Sequence, residues 1–263
     1  MTHEGAERMA LVSEGGRLRI LGVPVDAVDM DGTLAWVEQR IAAREPGRHL
    51  CVNAANVVRA NDDPHYRALL ERGDLIGSDG QPFVWAARLL GQPLPERVAG
   101  IDLMERVLLR ARESGWRIYL LGAREQVVTR LRDRLAAEGL HVVGVRNGFY
   151  LPEEEPAVLA DIRRSGADVL FVGMPTPAKE RIVVAGPEST GVPVCIGVGG
   201  SFDVLAGELR RAPVTMQRLG LEWLFRLVQE PRRLFGRYAV TNTRFIALVG
   251  WAMVRRLRRS RTS

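Results

Sequence analysis

The feature that most constrains the fold is an alternation of short apolar runs with longer segments of helical periodicity. The apolar runs, most of which end near Gly, Asn or Asp, predict strands. They cover Leu18–Val25, His49–Asn53, Leu75–Ser78, Arg117–Gly122, His141–Val145, Asp168–Gly173 and Val192–Val198. Strands that alternate with helices are typical of βαβ units. The sequence therefore predicts an α/β fold: a Rossmann-like, mostly parallel sheet with helices on both faces.

Helical patterns fill most of the intervals between these runs. The clearest cover Gly32–Arg44, Ala54–Arg72, Asp102–Ser114, Glu125–Glu138, Glu153–Ser165 and Ala178–Ala185. In sheets of this kind, ligands bind beyond the carboxyl ends of the strands, where loops hold the functional side chains. The residues expected at that edge are Asn53, Asp79, Gly122, Met174 and Gly199.

Charge is distributed unevenly along the 263 residues, a length that fits either one large α/β domain or a domain with an appendage. The net charge is +6, but residues 226–263 hold ten arginines and one glutamate, which gives +9 and leaves −3 for residues 1–225. We predict a flexible N-terminus at 1–17, an α/β domain at 18–225 and a basic appendage at 226–263. Such a tail suits anionic lipid, a diphosphate or nucleic acid, and the alternative is a solvated tail.

From about Val214 the pattern becomes helical, and Pro231 suits the first turn of a new helix. Such a helix would place Arg233, Arg237, Arg244, Arg255, Arg258 and Arg259 on one stripe, opposite Phe235, Ile246, Met253 and Leu257. It would either lie flat on an anionic membrane or dock its apolar face on the core. The longest uncharged apolar run, Phe245–Val254, has ten residues, whereas about 20 are needed to span a bilayer.

The cellular compartment is indicated by the cysteines and the N-terminus. Cys51 and Cys195 each lie in an apolar run, which predicts buried thiols and no disulfide framework. Residues 1–16 mix acids and glycines without a basic start and an apolar core, so they do not predict a signal peptide. We expect a cytoplasmic protein that touches a membrane surface without crossing it.

A glycine turn followed by arginines, between residues 197 and 238, predicts a site for a phosphate ligand. Gly197, Gly199 and Gly200 let the backbone approach a ligand, and a helix beginning near Ser201 would direct its free N–H groups there. Arginine side chains downstream match the geometry of phosphate oxygens. They are Arg210, Arg211, Arg218, Arg226, Arg232, Arg233 and Arg237.

Asp79, in IGSDGQPFVW, follows a short apolar strand and precedes a helix. A carboxylate in that place can accept the proton of a bound hydroxyl, as the transfer of a sugar onto an alcohol requires. The alternative is an Asp–Gly turn that caps the next helix.

Four ordered signatures resemble those of the WecG/TagA/CpsF glycosyltransferases, over about residues 18–238. They are LCVNAANVV, SDGQPFVWAARLLG with ERVAGIDLM, GMPTPAKE, and GVGGSFDVLAG with RAP, GLEWLFRL and EPRRLFGRY. The resemblance implies an inverting enzyme that transfers a sugar, commonly N-acetylmannosamine or its uronic acid, from a UDP donor. The implied acceptor is an undecaprenyl-diphosphate-linked sugar at the inner membrane face, in the synthesis of bacterial surface polysaccharide or teichoic acid.

The resemblance also implies roles for individual residues, with Asp79 as the catalytic base. The implied substrate-binding residues are Asn53, Gln81, Arg97, Asp102, Lys179, Glu180, Arg211 and Arg237. The implied UDP-binding residues are Gly122, Gly199, Gly200, Ser201, Phe202 and Asp203.

The chain departs from the family pattern at two signatures. Cys51 stands where Thr is usual, and Ala178 and Lys179 stand where Lys and Gln are usual. Lys179 is the only lysine of the chain, and a cation there can offset charge on a departing diphosphate. The alternative is a capped start of a surface helix.

A rival interpretation rests on VDMDGTL at 28–34, which matches the nucleophile signature of haloacid-dehalogenase-like, magnesium-dependent phosphatases with Asp29 and Asp31. Those enzymes also need an acidic metal-binding cluster, whereas Asp203 is a single acid. Asp26 and Asp29 also interrupt the strand that should precede the nucleophile. We therefore predict that Asp29 and Asp31 begin a helix.

No other sequence pattern indicates a metal, a cofactor or a nucleic acid. The histidines and cysteines are scattered without ligand spacing. The basic tail lacks a recognisable nucleic-acid module, and its interleaved aliphatic residues suit lipid better. We expect no cofactor and no nucleic-acid partner, and the oligomeric state, a homo-oligomer included, stays open.

Overall fold

The predicted apolar runs form strands, most of them in one parallel sheet, in the computed structural model, which describes residues 16–260. The strands are β1 (Arg17–Ile20), β2 (Val23–Asp26), β3 (Gly47–Val52), β4 (Leu75–Ser78), β5 (Arg117–Gly122), β6 (His141–Arg146), β7 (Val169–Gly173) and β8 (Val194–Gly197). The sheet has six strands in the order β4-β3-β8-β7-β5-β6, and every neighbouring pair is parallel. The α/β prediction is confirmed.

Helices cover both faces of this sheet. They are α1 (Met30–Ala43), α2 (Ala54–Asp62), α3 (Pro64–Glu71), α4 (Gln81–Leu89), α5 (Gly100–Ser114), α6 (Glu125–Ala137), α7 (Glu155–Ser165), α8 (Ala178–Thr190), α9 (Ser201–Leu205), α10 (Val214–Arg218), α11 (Glu222–Gln229) and α12 (Pro231–Ser260). Because side chains alternate along a strand, each face has its own apolar cluster. Leu50 and Val172 belong to the cluster with α2, α3, α7 and α8, whereas Leu75 and Phe171 belong to the cluster with α1, α5 and α6. Cys51 and Cys195 are buried free thiols, as predicted.

The prediction of one strand over Leu18–Val25 is wrong. The chain reverses at Leu21 and Gly22, which have φ angles of 52° and 85°, so β1 and β2 form an antiparallel hairpin. Asp26 accepts a hydrogen bond from the backbone N of Ile76 at 2.7 Å. The hairpin therefore covers the outer edge of β4, which protects an otherwise unpaired strand. Residues 1–15 of the predicted flexible N-terminus lie outside the described residues.

The prediction of one helix over Ala54–Arg72 is also wrong, because the helix divides at Pro64. The side chain of Asp63 accepts from the backbone N of His65 and of Tyr66, both at 3.0 Å, and so caps α3. Proline suits the first turn of a helix because it has no N–H to donate. The new cap allows α2 and α3 to take different directions.

The helix start at Asp29 is confirmed. Asp29 is the N-cap of α1, and its side chain accepts from the backbone N of Gly32 at 2.7 Å. Asp31 lies in the first helical turn. Asp29 follows the β1–β2 hairpin rather than a strand of the parallel sheet, so it does not lie where a phosphatase of the rival class holds its nucleophile.

The final helix, α12, has 30 residues and docks on the α/β body through one arginine of the predicted basic stripe and two apolar residues that belong to neither predicted face. Leu234 and Phe245 are buried, and Arg244 forms an ion pair with Asp62 of α2. Phe235 and Ile246, from the predicted apolar face, are exposed. Docking through the predicted apolar face is therefore wrong. Within residues 16–260, no helix combines the length and the apolarity needed to cross a membrane.

Candidate active site

Asp79 lies at the carboxyl edge of the sheet, immediately after β4. Its backbone N donates to Val52 O at 2.8 Å, which joins it to the end of β3. The backbone N of Val98 donates to Ser78 O at 2.8 Å, so the segment before α5 runs beside Asp79. The Asp79 side chain is half-buried. The structure thus places the predicted base at the edge where ligands bind to parallel sheets.

Asn53 lies beside this loop and is the N-cap of α2. Its side-chain oxygen accepts from the backbone N of Ala55 at 2.9 Å and of Asn56 at 3.2 Å. Asn56 in turn accepts from the backbone N of Asn53 at 3.0 Å, which completes a capping box. A Cβ built on Gly80 would lie 3.7 Å from Asn53 Cβ. Asn53 therefore has a structural role and lies next to Asp79.

The surroundings of Asp79 raise the pKa of its carboxyl. Burial is the largest cause, and the negative charge of Glu222 adds to it, whereas Arg97, Arg226 and Lys179 act in the opposite direction. A carboxylate whose pKa is raised is a stronger base once it is ionised. Such a shift, caused by burial and by specific charged neighbours, is common at catalytic sites.

Arg97 joins several of the predicted acceptor-site residues into one network. Its guanidinium contacts Asp102 Oδ2 at 3.1 Å and Glu222 Oε2 at 2.9 Å. Arg211 forms an ion pair with the other oxygen of Asp102. Gln217 Oε1 lies 3.4 Å from Arg97. Arg97 and Asp102, which are near in sequence, therefore meet Arg211 from a distant part of the chain in one charged network.

The glycine turn after β8 is close to a cation. Gly199 has a φ of 55°, which favours glycine, and a Cβ built on Gly200 would lie 3.7 Å from Arg226 Nη1. The predicted helix begins at Ser201 but has only five residues. Phe202 is fully buried in the apolar core, and Ser201 donates its hydroxyl to Val198 O at 2.7 Å. The buried Ser201 and Phe202 side chains thus fix the turn from the protein interior, and the Arg226 guanidinium lies beside its backbone.

Lys179 and Glu180 form a buried ion pair at the start of α8. The two charges lie 3.2 Å apart, and the residues are 8% and 0% exposed. Tyr66 and Thr176 each donate a hydroxyl to Glu180 Oε1 at 3.0 Å. The alternative of a surface helix start is wrong for this segment, because these side chains lie inside the protein.

Gly122 and Arg237 lie apart from the Arg97 network. Gly122 has a φ of 145°, and a Cβ built there would lie 2.4 Å from Gly173 C, so the end of β5 tolerates only glycine. Arg237 is exposed on α12, where its guanidinium lies 5.2 Å from the ring centroid of Tyr238.

A comparison with protein-family models matches the WecG/TagA/CpsF glycosyl transferase family over residues 18–261. The match covers nearly the whole chain. The chain belongs to this family. As a WecG/TagA/CpsF glycosyltransferase, it is an enzyme that uses a sugar donor and an acceptor.

In this family member, Cys51 stands where the family resemblance leads one to expect Thr. Cys51 is buried at the end of β3. Burial, reinforced by the charge of Asp79, raises the pKa of the thiol to about 12. The side chain is thus a neutral thiol at physiological pH. Within residues 16–260, no group of three or more His, Cys, Asp and Glu side chains is arranged to hold a metal ion.

Glu222 is a site residue that the sequence analysis does not single out. It lies at the first position of α11 and reaches Arg97 across 125 positions of the sequence. The available signal was its place in GLEWLFRL, a signature already used for the resemblance. Glu222 does not stand out in this amphipathic segment, because a single carboxylate on such a helix is usually exposed to solvent and has no role in a site.

Proposed function

We propose that this glycosyltransferase inverts the anomeric centre of a UDP-linked sugar, N-acetylmannosamine or a related sugar, as it transfers the sugar to an undecaprenyl-diphosphate-linked acceptor. The pathway would be bacterial surface polysaccharide or teichoic acid synthesis. One observation above all supports the proposal: the charges of Arg97, Arg226 and Lys179 act on Asp79, a base candidate with a raised pKa, and Arg226 also lies beside the glycine turn. A base on one side and cations on the other are what transfer from a nucleotide diphosphate requires.

In the proposed mechanism, Asp79 takes the proton of the acceptor hydroxyl as its oxygen attacks the anomeric carbon. The bond from that carbon to the diphosphate oxygen breaks on the opposite face, and UDP leaves with the electron pair. Arg226, beside Gly200, and Arg211 stabilise the negative charge that develops on the diphosphate. Fixed cations in a half-buried site typically contribute a few kcal/mol to such a transition state.

Asn53 and the remaining predicted residues keep supporting roles in this proposal. Asn53 caps α2 beside the loop of Asp79, and Gln81 begins the helix that follows this loop. In this proposal UDP contacts Gly199 and Asp203 after β8 and Gly122 at the end of β5, all at the carboxyl edge of the sheet. Lys179 acts from inside the protein, since it is paired with Glu180. The role proposed for Arg237, which is exposed on α12, is to bind the acceptor diphosphate.

We further propose that the enzyme is cytoplasmic and binds peripherally to the inner face of the membrane through α12. Exposed apolar side chains on this helix include Ile246, Trp251 and Leu257, which are 69%, 59% and 62% exposed. Arg255 lies over the Trp251 ring, 4.2 Å from its centroid. Trp and Arg together suit the interface of an anionic bilayer, and each basic residue near that surface adds about 1 kcal/mol.

The first expected result is UDP release from a UDP-sugar when a polyprenyl-diphosphate-linked acceptor is present, in a screen of UDP-sugars. We expect the release to persist in EDTA, because arginine side chains provide the charge that faces the diphosphate. An enzyme-coupled assay for UDP measures the release with and without EDTA. Strict dependence on added Mg²⁺ would contradict the EDTA prediction. Release of inorganic phosphate without an acceptor would instead favour the phosphatase interpretation with Asp29 and Asp31.

The second expected result concerns α12. Replacing Ile246, Trp251 and Leu257 together with serine should preserve the fold, because all three side chains are exposed. It should weaken binding to vesicles of phosphatidylglycerol and phosphatidylcholine by at least about tenfold, because burial of a large apolar side chain contributes roughly 1.5–3 kcal/mol. Cosedimentation measures the binding.

The matched control uses Phe149 and Leu151, which are exposed apolar residues on the loop after β6. Their double serine variant should bind vesicles as the unmodified protein does. Equal binding by the α12 variant and the unmodified protein would show that α12 is not the membrane contact. High salt should weaken binding of the unmodified protein, since it screens the arginines.

A further inference from the structure

Two segments from distant parts of the chain supply charged side chains that act on Asp79. In one segment, Arg97 is held beside the end of β4 by the bond from Val98 N to Ser78 O and by the bond from Ser78 Oγ to Glu96 O, both 2.8 Å. In the other segment, the turn before α11 packs on α4. A Cβ built on Gly220 would lie 3.0 Å from Trp85 and 3.3 Å from Gln81 Cβ. Glu222 lies two residues after Gly220, so the packing of this turn on α4 fixes the backbone position from which the Glu222 side chain extends.

Glu222 contacts one arginine with each carboxylate oxygen. Its Oε2 lies 2.9 Å from Arg97 Nη1, and its Oε1 lies 3.8 Å from Arg226 Nη2. The Arg97 and Glu222 side chains are only 15% and 22% exposed. The second Arg226 nitrogen, Nη1, faces the Gly200 turn. The carboxylate therefore orients the Arg97 guanidinium by a hydrogen bond and lies within ion-pair distance of the Arg226 guanidinium beside the glycine turn.

The same carboxylate faces Asp79. The charged and titratable groups that act on Asp79 are Glu222 and Arg226 from α11, Arg97 before α5, Lys179 from α8 and Cys51 from β3. The three cations favour ionised Asp79, whereas Glu222 opposes it. With Glu222 absent, Asp79 would lie among cations alone, and its carboxylate would be a weaker base.

We infer that Glu222 is a positioning residue for the transfer reaction: its carboxylate orients Arg97 by a hydrogen bond, attracts Arg226 as an ion pair, and places a negative charge in the charged cluster around Asp79. Glu222 acts through these three residues and does not touch the reacting atoms. The inference rests on the proposed function of Asp79 as the base. It also gives the docked α11 a chemical role at the site.

The test is the isosteric substitution Glu222→Gln, which removes the charge and preserves the shape. Loss of the carboxylate should lower the pKa of Asp79, because the repulsion ends and both arginines are freed to act on Asp79. The acid limb of the pH profile of kcat/KM should therefore move to lower pH. The plateau rate should fall by less than about 10²-fold, the smallest loss expected when a general base itself is removed.

A direct titration separates this inference from the proposed function. In protein with ¹³C-labelled aspartate carboxyls, the Asp79 signal is assigned from its absence in Asp79→Asn, and its pKa is followed by NMR. We expect a lower pKa in Glu222→Gln and no change in Glu208→Gln, which removes a surface carboxylate paired with Arg130. If no sugar is transferred under any condition, the proposed function fails, but the titration still decides whether Glu222 acts on Asp79.

A second variant, Glu222→Asp, keeps the negative charge and changes only the length of the side chain. It separates the effect of charge from an effect of altered packing or folding. Its Asp79 should titrate as in the unmodified protein. The inference is overturned if the Asp79 pKa is the same in Glu222→Gln as in the unmodified protein. It is also overturned if Glu222→Asp and Glu222→Gln shift that pKa equally, since packing rather than charge would then be the cause.

Discussion

Replacing Asp79 with asparagine is expected to lower the rate of sugar transfer by about 10²–10⁴-fold and to leave the fold intact. The amide cannot accept the proton of the acceptor hydroxyl, whereas its shape matches the carboxyl group. Because burial raises the pKa of Asp79, the acid limb of the unmodified enzyme should lie above the ordinary aspartate value of 3.8. The measurements are kcat, the pH profile of kcat/KM and the melting temperature.

Asp29→Asn is the matched control for this prediction. It makes the same chemical change at the N-cap of α1, where asparagine caps about as well as aspartate. We expect an unchanged transfer rate. Turnover near that of the unmodified enzyme in Asp79→Asn would remove Asp79 from the mechanism. Complete loss of activity in Asp29→Asn would revive the phosphatase interpretation.

The largest expected effect on stability comes from Glu180→Gln. The substitution leaves the charge of Lys179 buried without its partner, and breaking a buried ion pair in this way costs about 3–5 kcal/mol. For a chain of this size that corresponds to a decrease in melting temperature of roughly 6–20 °C. Differential scanning calorimetry at pH 7 measures it.

The pH dependence should differ between the two proteins. In the unmodified protein, burial lowers the pKa of Lys179, but the negative charges of Glu180 and Asp79 oppose this effect, and the pKa is raised above its ordinary value of 10.5. The contribution of Lys179 to stability is then constant between pH 7 and 9.5 and is lost only at higher pH. Without Glu180, burial should dominate and lower the folded-state pKa below that of the unfolded chain. The stability of Glu180→Gln should therefore rise as the pH increases toward 10.5.

Two controls isolate the charge effect. Thr176→Val removes one hydrogen bond to Glu180 and no charge, so it should cost only about 1 kcal/mol and show no such pH dependence. Lys179→Met combined with Glu180→Gln removes both charges and should recover much of the lost stability, since buried ion pairs are often replaceable by apolar groups. A Glu180→Gln protein as stable as the unmodified one would contradict the prediction.

Residues at the boundaries of elements show where local patterns were sufficient and where they were not. Asp29 was correctly predicted as a helix start, because a cap is formed by neighbours in sequence. The hairpin at Leu21–Gly22 was missed, since two short apolar strands joined by a two-residue turn read as one continuous run. The break at Pro64 was missed because apolar periodicity continues across it, although the Asp63–Pro64 pair was a visible signal.

The docking of α12 shows the limit of periodicity more clearly. A helical wheel groups Phe235, Ile246 and Leu257, yet the helix buries Leu234 and Phe245. A wheel assumes one uniform apolar face along 30 residues, whereas Leu234 and Phe245, together with the partly buried Leu248 and Val249, make the apolar contacts with the body. The side of α12 that is buried depends on the surface of α2 against which it packs. On that surface, Asp62 forms an ion pair with Arg244 of α12.

The sequence by itself determined the parallel α/β fold, the strand ends at which Asn53, Asp79 and Gly199 lie, and membership of the glycosyltransferase family. Those properties follow from short-range periodicity and from ordered signatures, which the linear chain already contains. Only tertiary packing brings the polar groups of the site together: the Arg97 guanidinium meets the Glu222 carboxylate 125 positions away, and the Tyr66 hydroxyl meets the Glu180 carboxylate 114 positions away. The free energy of such contacts depends on distance and burial in the folded chain, and neither quantity can be read from residue order.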